Sequence, residues 1–310
     1  MKKKLVALII ALITFSSCQI IKQQQPCFYV PVIQDYYIYD NSVLPTEYSE
    51  GTDNQVEICS RIYDDLSSYY HVSKAFPTIR SMSREQVDEL LGSVNSGAFL
   101  ALYDANALYL LSDANLDDVY FAVIAHELMH YIADTGDLHG FVYYINESPI
   151  LFLDEGIATY FSAQRFPYDD IFSTLYEYET HVAHLLSIIY GEDRLLHDYL
   201  DNNIDNIRDD FNKAVKYVYK NIEDDNIVYT PFDIMAKTLD AYSFHFYEGN
   251  DAEAYIYARS IEEMLLFYGK TKGLEEEVKT AIKQFELETP RHNYEFNLIL
   301  DGWCTYHEKH

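Results

Sequence analysis

Asp118-Val119-Tyr120-Phe121-Ala122-Val123-Ile124-Ala125-His126-Glu127-Leu128-Met129-His130-Tyr131-Ile132-Ala133 contains neither glycine nor proline, and its apolar residues recur at helical spacing. At 3.6 residues per turn, His126 and His130 lie one turn apart on one face, and Glu127 borders the same edge. Phe121, Ile124, Ala125, Leu128 and Ile132 occupy the opposite arc, which reads as a buried stripe. One side of the helix is expected to build core while the other presents two imidazoles and a carboxylate. Two neutral imidazoles so spaced can bind one Zn²⁺ at roughly 2.0–2.1 Å each. Glu127 cannot easily reach the same metal, but it can take a proton from a water held there. A His-Glu-x-x-His pattern also arises by chance in buried helices, so the reading needs a third ligand.

Ser148-Pro149-Ile150-Leu151-Phe152-Leu153-Asp154-Glu155-Gly156-Ile157-Ala158-Thr159-Tyr160-Phe161 supplies a candidate. Ser148 reads as an N-cap and Pro149 as the first helical residue. Leu153, Ile157 and Tyr160 share one face, and Glu155 and Thr159 share another. Gly156 and Ala158 are small enough for another helix to approach closely. Glu155, an acid in an otherwise apolar run, completes a three-ligand set. That leaves a fourth position open, as in catalytic zinc sites and unlike closed structural ones.

His126-Glu127-Leu128-Met129-His130, followed by Leu153-Asp154-Glu155-Gly156-Ile157-Ala158-Thr159-Tyr160, resembles the gluzincin zinc metallopeptidases, the peptidase MA-like group in particular. The resemblance is strongest over residues 118–161. It implies one Zn²⁺ per chain, held by His126, His130 and Glu155. It implies hydrolysis of peptide bonds in a peptide or protein substrate by a zinc-bound water, with Glu127 as general base. It also implies an α+β, predominantly helical fold: a small hairpin-bearing sheet, the zinc helix, the glutamate helix and a helical C-terminal lobe. The run from Tyr257 to Gly269 is similar to a further helix of the family. By that likeness Tyr257 is the donor to the developing oxyanion, with Tyr255 as the alternative. The chain departs from the family pattern at Asp154, where many relatives have Asn, and in the longer gap from Glu155 to Tyr257. Two other functions compete: a catalytically silent envelope scaffold or binding lipoprotein, and a zinc hydrolase acting on a non-peptide bond. An intact Glu127 counts against the first.

The rest of the chain sets address and size. Its 310 residues, 49% of them hydrophobic, can bury a sizeable core. A formal net charge of −28 with no basic patch excludes nucleic acid and anionic lipid surfaces as partners. Lys2, Lys3 and Lys4 precede an apolar run from Leu5 to Phe15 that is too short to span a bilayer. Phe15-Ser16-Ser17-Cys18 then resembles a bacterial lipobox. Residues 1–17 are thus expected to be a signal peptide. Cys18 is expected to carry lipid, and the mature chain is expected on the extracytoplasmic side of the cell envelope, touching membrane only through that lipid. Cys27, Cys59 and Cys304 then allow one disulfide and one free thiol, with the pairing open.

Residues 18–50 read as a tether running into irregular structure, and 51–310 as the metallopeptidase-like domain. Within it, 51–135 form an upper lobe with the zinc helix and 136–310 a helical lower lobe. A helix is expected over 54–70 and a short one from the capping-box sequence Ser83-Arg84-Glu85-Gln86 to Leu91. Residues 98–103 and 107–111 read as a β-hairpin, which either pairs with extended substrate, as in gluzincins, or simply covers the core. Helices are expected over 171–190, 194–200, 204–219, 231–247, 252–268 and 274–285. His139, nine residues after His130, does not fit the six-residue spacing of a metzincin third ligand. Asp134 is a candidate partner for a ligand histidine. His181 and His184 read as helix surface, and Glu223-Asp224-Asp225-Asn226 reads as an acidic turn.

Overall fold

The computed structural model describes residues 49–91, 100–104, 107–114, 118–133, 143–145, 148–150, 152–167, 176–215, 222–224, 227–247 and 249–288. All of them lie in one unit, Val30–Tyr294. The expectations for the signal, the tether as far as residue 48, Cys18, Cys27, Asp134, His139 and Cys304 fall outside the described residues, and the last two residues of the expected tether, Ser49 and Glu50, form a strand.

The first helix, α1 (Asp53–Tyr69), opens on a capping box. The Gln55 amide donates to the Thr52 hydroxyl at 3.3 Å, and the Thr52 amide donates to the Gln55 side chain at 3.0 Å. Cys59, Ile62, Tyr63 and Leu66 repeat at helical spacing and are buried. A second capping box, Ser83 with Gln86, starts α2 (Arg84–Leu91).

Before, between and after these helices run the strands of a mixed four-stranded sheet, β1 (Ser49–Glu50), β2 (Thr78–Met82), β3 (Ala101–Asp104) and β4 (Ala107–Leu111), in the order β1-β2-β4-β3. The expected hairpin is β3–β4, antiparallel with Tyr103 opposite Leu108. Sequence reading missed β2, which runs parallel to β4 with Arg80 opposite Tyr109. All five residues of β4 are buried, as befits a central strand, while β3 is an edge.

The helix that carries His126 and His130, α3 (Asp118–Ala133), lies against α1, β3 and α4 (Phe152–Ala163). It is not amphipathic. Tyr120, Val123, Ile124, Ala125, Leu128, Met129 and Ile132 are buried, and so are His126 and His130. The expected apolar stripe therefore runs round the helix, because neighbours pack on both sides. Lys74 donates to the Tyr131 carbonyl and sits over its ring, placing a cation near the helix C-terminus.

Ser148 and Pro149 do not start α4. They belong to β6 (Ser148–Ile150), which pairs antiparallel with β5 (Tyr143–Ile145). In a two-stranded ribbon every strand is an edge, where proline is tolerated. A second ribbon, β7 (Ile222–Asp224) with β8 (Ile227–Tyr229), takes up Glu223 and Asp224 of the expected acidic turn.

The remaining elements are helices: α5 (Glu177–Tyr190), α6 (Glu192–Leu200), α7 (Ile204–Val215), α8 (Pro231–Tyr247), α9 (Asp251–Lys272) and α10 (Glu275–Glu288). The α+β, predominantly helical class is therefore observed. Helix α9 packs along α8 and also meets α5, α7 and α10. It ends at Gly273 with φ 76°, a left-handed cap that most L-residues avoid, and the Leu274 amide donates back to the Gly269 carbonyl at 2.8 Å. Among the described residues no helix is long and apolar enough to cross a membrane.

Candidate metal centre

The one-turn spacing on α3 points His126 Nε2 and His130 Nε2 at each other, 3.1 Å apart. Helix α4 brings Glu155 against them. Its Oε2 lies 3.0 Å from His126 Nε2 and 3.5 Å from His130 Nε2. One ligand atom from each residue lies within 4.8 Å of the other two, and this group could hold a metal ion.

Close approach of α4 to α5 sets where Glu155 sits. Gly156 faces the backbone of Glu179, and a Cβ there would overlap the Glu179 carbonyl. The small residue beside the ligand acid thus lets α5 lie directly on α4.

Each histidine is held through its other nitrogen. His130 Nδ1 lies 3.1 Å from Asp154 Oδ2. A carboxylate only accepts, so Nδ1–H donates and a neutral His130 keeps its lone pair on Nε2. His126 Nδ1 lies 3.0 Å from the Thr159 hydroxyl. If Nδ1–H donates there too, two nitrogen lone pairs and a carboxylate oxygen converge on one point. That arrangement is repulsive unless a cation or a proton occupies it, and the donor set of two imidazoles and one carboxylate suits Zn²⁺.

The proton affinities of the group shift in the sense that such crowding requires. Burial opposes a charge on His130, but Asp154 and Glu155 outweigh it and raise its affinity for a proton well above the ordinary imidazole value. Burial likewise opposes a charge on Glu155, yet His130 and His126 hold its carboxyl well below the usual range.

Glu127 stays outside the ligand set. Its Oε2 accepts the Tyr103 amide of edge strand β3 at 2.8 Å. Desolvation pushes its carboxyl up, against the pull of His126 and His130. A carboxylate with raised proton affinity beside a metal site is placed for proton transfer.

The structure thus brings together His126, Glu127, His130 and Glu155. Tyr257 is buried on α9, with its ring stacked on His245 of α8 at 5.4 Å. Tyr255 is on the same helix and half-buried. His181 is buried and stacked on Phe285 at 4.0 Å, so it is core and not the helix surface expected. His184 is exposed beside the Tyr160 ring.

Three residues at the centre escaped sequence reading. Asp154 carried a signal, an acid adjoining the ligand acid, but was read only as a departure from the family. Tyr199 of α6 is buried near Asp154 and Glu155. Tyr176, just before α5, stacks on His126 with ring centroids 5.7 Å apart. Both tyrosines lie far along the chain from the motif, and no local pattern marks them.

Comparison of the chain with protein-family models, curated proteins and solved structures gives no match.

Proposed function

We propose that this chain is an extracytoplasmic zinc metallopeptidase of gluzincin type, anchored to the membrane by lipid on Cys18. The observation that carries the reading is the convergence of His126, His130 and Glu155 with Glu127 beside them and outside the set. A purely structural zinc site has no use for that additional carboxyl.

Zn²⁺ held by the three ligands would supply Lewis acidity toward the scissile carbonyl and toward water. Glu127 then removes the proton of the attacking water and delivers it to the leaving amine. The Tyr103 amide holds Glu127 in place from strand β3. That strand is a sheet edge, and its outward backbone groups suit pairing with an extended peptide. The family likeness assigns oxyanion stabilisation to Tyr257.

The test begins with metal analysis of the purified protein and a digest of an unbiased peptide library. One zinc per chain is expected, and Glu155→Ala should lose it. Glu127→Gln should keep zinc and fold while losing turnover by about 10²–10⁴-fold, the range of a positioned acid–base group. Tyr257→Phe should keep zinc and lose mainly kcat. Full zinc in Glu155→Ala defeats the ligand assignment, and wild-type turnover in Glu127→Gln defeats the base. A wild type that cuts no peptide turns the reading toward a scaffold. Mass spectrometry of the membrane fraction checks the anchor: a mature chain that does not begin at lipidated Cys18 refutes it.

A further inference from the structure

Tyr176 precedes α5 with φ 60° and ψ 21°, in the left-handed region. Bulky L-residues rarely enter it, because Cβ crowds the backbone; glycine does so freely and asparagine tolerably. Nor does the side chain cap the helix. The Tyr176 carbonyl takes the Thr180 amide at 2.8 Å and the Thr180 hydroxyl at 2.6 Å, bonds that any residue could accept. Asparagine would serve both the backbone and the helix start better than tyrosine.

What tyrosine supplies here and asparagine does not is a ring. It is half-buried and lies within 5° of parallel to the His126 imidazole, at 5.7 Å between centroids. His126 has otherwise a single neutral hydroxyl, Thr159, at its Nδ1, whereas His130 is held by the carboxylate of Asp154. The Thr159 hydroxyl and the His130 ring, 4.7 Å away and nearly perpendicular, hold the His126 ring from its surroundings, and Tyr176 adds a ring parallel to its plane. A parallel ring at that offset further restrains the plane of the imidazole. The start of α5 is itself located by the contact of Glu179 with Gly156.

We infer that Tyr176 is a positioning residue for the metal centre: its ring restrains the plane of His126 so that Nε2 faces His130 and Glu155, and the contact is kept despite an unfavourable backbone conformation. The inference rests on the metal-centre reading above. It predicts that binding and stability respond in opposite directions to loss of the ring.

The experiment uses the full chain with Zn²⁺ and Co²⁺ as probes. Zinc affinity is read by chelator competition, ligand geometry by the Co²⁺ absorption spectrum, and stability by the Tm of the metal-free protein. Tyr176→Asn should weaken zinc by about threefold to tenfold, the range of one aromatic stack, and alter the Co²⁺ spectrum. Its metal-free Tm should not fall, since asparagine tolerates the conformation. Tyr176→Phe keeps the ring and should bind zinc within about twofold of wild type. Equal zinc affinity in Tyr176→Asn overturns the inference. So does an affinity loss accompanied by a lower metal-free Tm, which marks an ordinary structural role. Weak binding by Tyr176→Phe overturns it as well, because the hydroxyl and not the ring would then be responsible. If wild type takes up neither ion, the metal-centre reading itself fails; if only the variants disagree, the centre stands and Tyr176 has no part in it.

Discussion

Asp154 and Thr159 set how His126 and His130 face the candidate metal position, and they do so with unequal strength. The carboxylate opposite His130 Nδ1 makes a charge-assisted bond as the ring gains positive character, and the hydroxyl opposite His126 Nδ1 does not. Loss of Asp154 should therefore be the more damaging. Asp154→Ala is expected to weaken zinc by about 10–100-fold, and Asp154→Asn by less, because its amide oxygen can still accept from Nδ1. Competition titration against a chelator measures both; an Asp154→Ala protein that binds like wild type would show that His130 needs no such partner. Cys59 gives a second residue-scale expectation. It is fully buried in α1, and burial pushes its thiol up to about 12. The folded protein should leave it unmodified by thiol reagents at pH 8, and unfolding should expose it, as mass mapping after labelling would reveal.

At the scale of elements, the centre depends on how closely α4 and α5 approach. Gly156 sits where any Cβ would meet the Glu179 backbone. Gly156→Ala gains about 1 kcal/mol of helix propensity but must part the two helices, and overpacking of this kind costs about 1–3 kcal/mol. A net loss of up to about 2 kcal/mol is expected in urea unfolding, together with weaker zinc binding, since Glu155 is the adjacent residue. Undiminished zinc binding with a shifted helix pair would separate the ligand from the packing. The glycine was legible in the sequence as a place for a close neighbour; which helix would come was not. The same division runs through the fold. His126 and His130 could be read because an i, i+4 pair needs only helix geometry. Helices with long apolar periodicity, such as α8 and α9, could be read for the same reason. Strand β2 could not, because Thr78-Ile79-Arg80-Ser81-Met82 becomes a strand by parallel pairing with residues nearly thirty positions later. Ser148-Pro149 carries helix-start chemistry and was spent on a strand because β5 lies alongside. Tyr176 and Tyr199 are joined to the centre by tertiary packing alone.

For the whole molecule, the acidic balance turns pH into a stability variable. At a net charge of −28, repulsion among surface carboxylates already favours the protonated, less charged chain. Buried carboxyls add a sharper term. Glu262 on α9 is almost fully buried, and desolvation raises its carboxyl to about 7 from the ordinary 4.5, although Arg259 lies 3.1 Å away and pulls the other way. Glu263 on the same helix and Glu286 on α10 add to the rise, and the Tyr178 hydroxyl of α5 feels the Glu262 charge. The folded state therefore binds this proton more tightly than the unfolded chain does. Its contribution is complete below about pH 4.5 and is lost as pH rises through about 7, a total of at most about 3 kcal/mol. Glu262→Gln keeps the shape and stays neutral throughout. Urea unfolding of both proteins from pH 4.5 to pH 8.5 isolates the term, because the surface repulsion is common to both and cancels in the difference. The variant's advantage should be small at pH 4.5, grow between pH 5 and pH 7, and level off above. An advantage that does not change with pH would mean that Arg259 keeps Glu262 ionised across the range, and that burial at this position is outweighed by the ion pair.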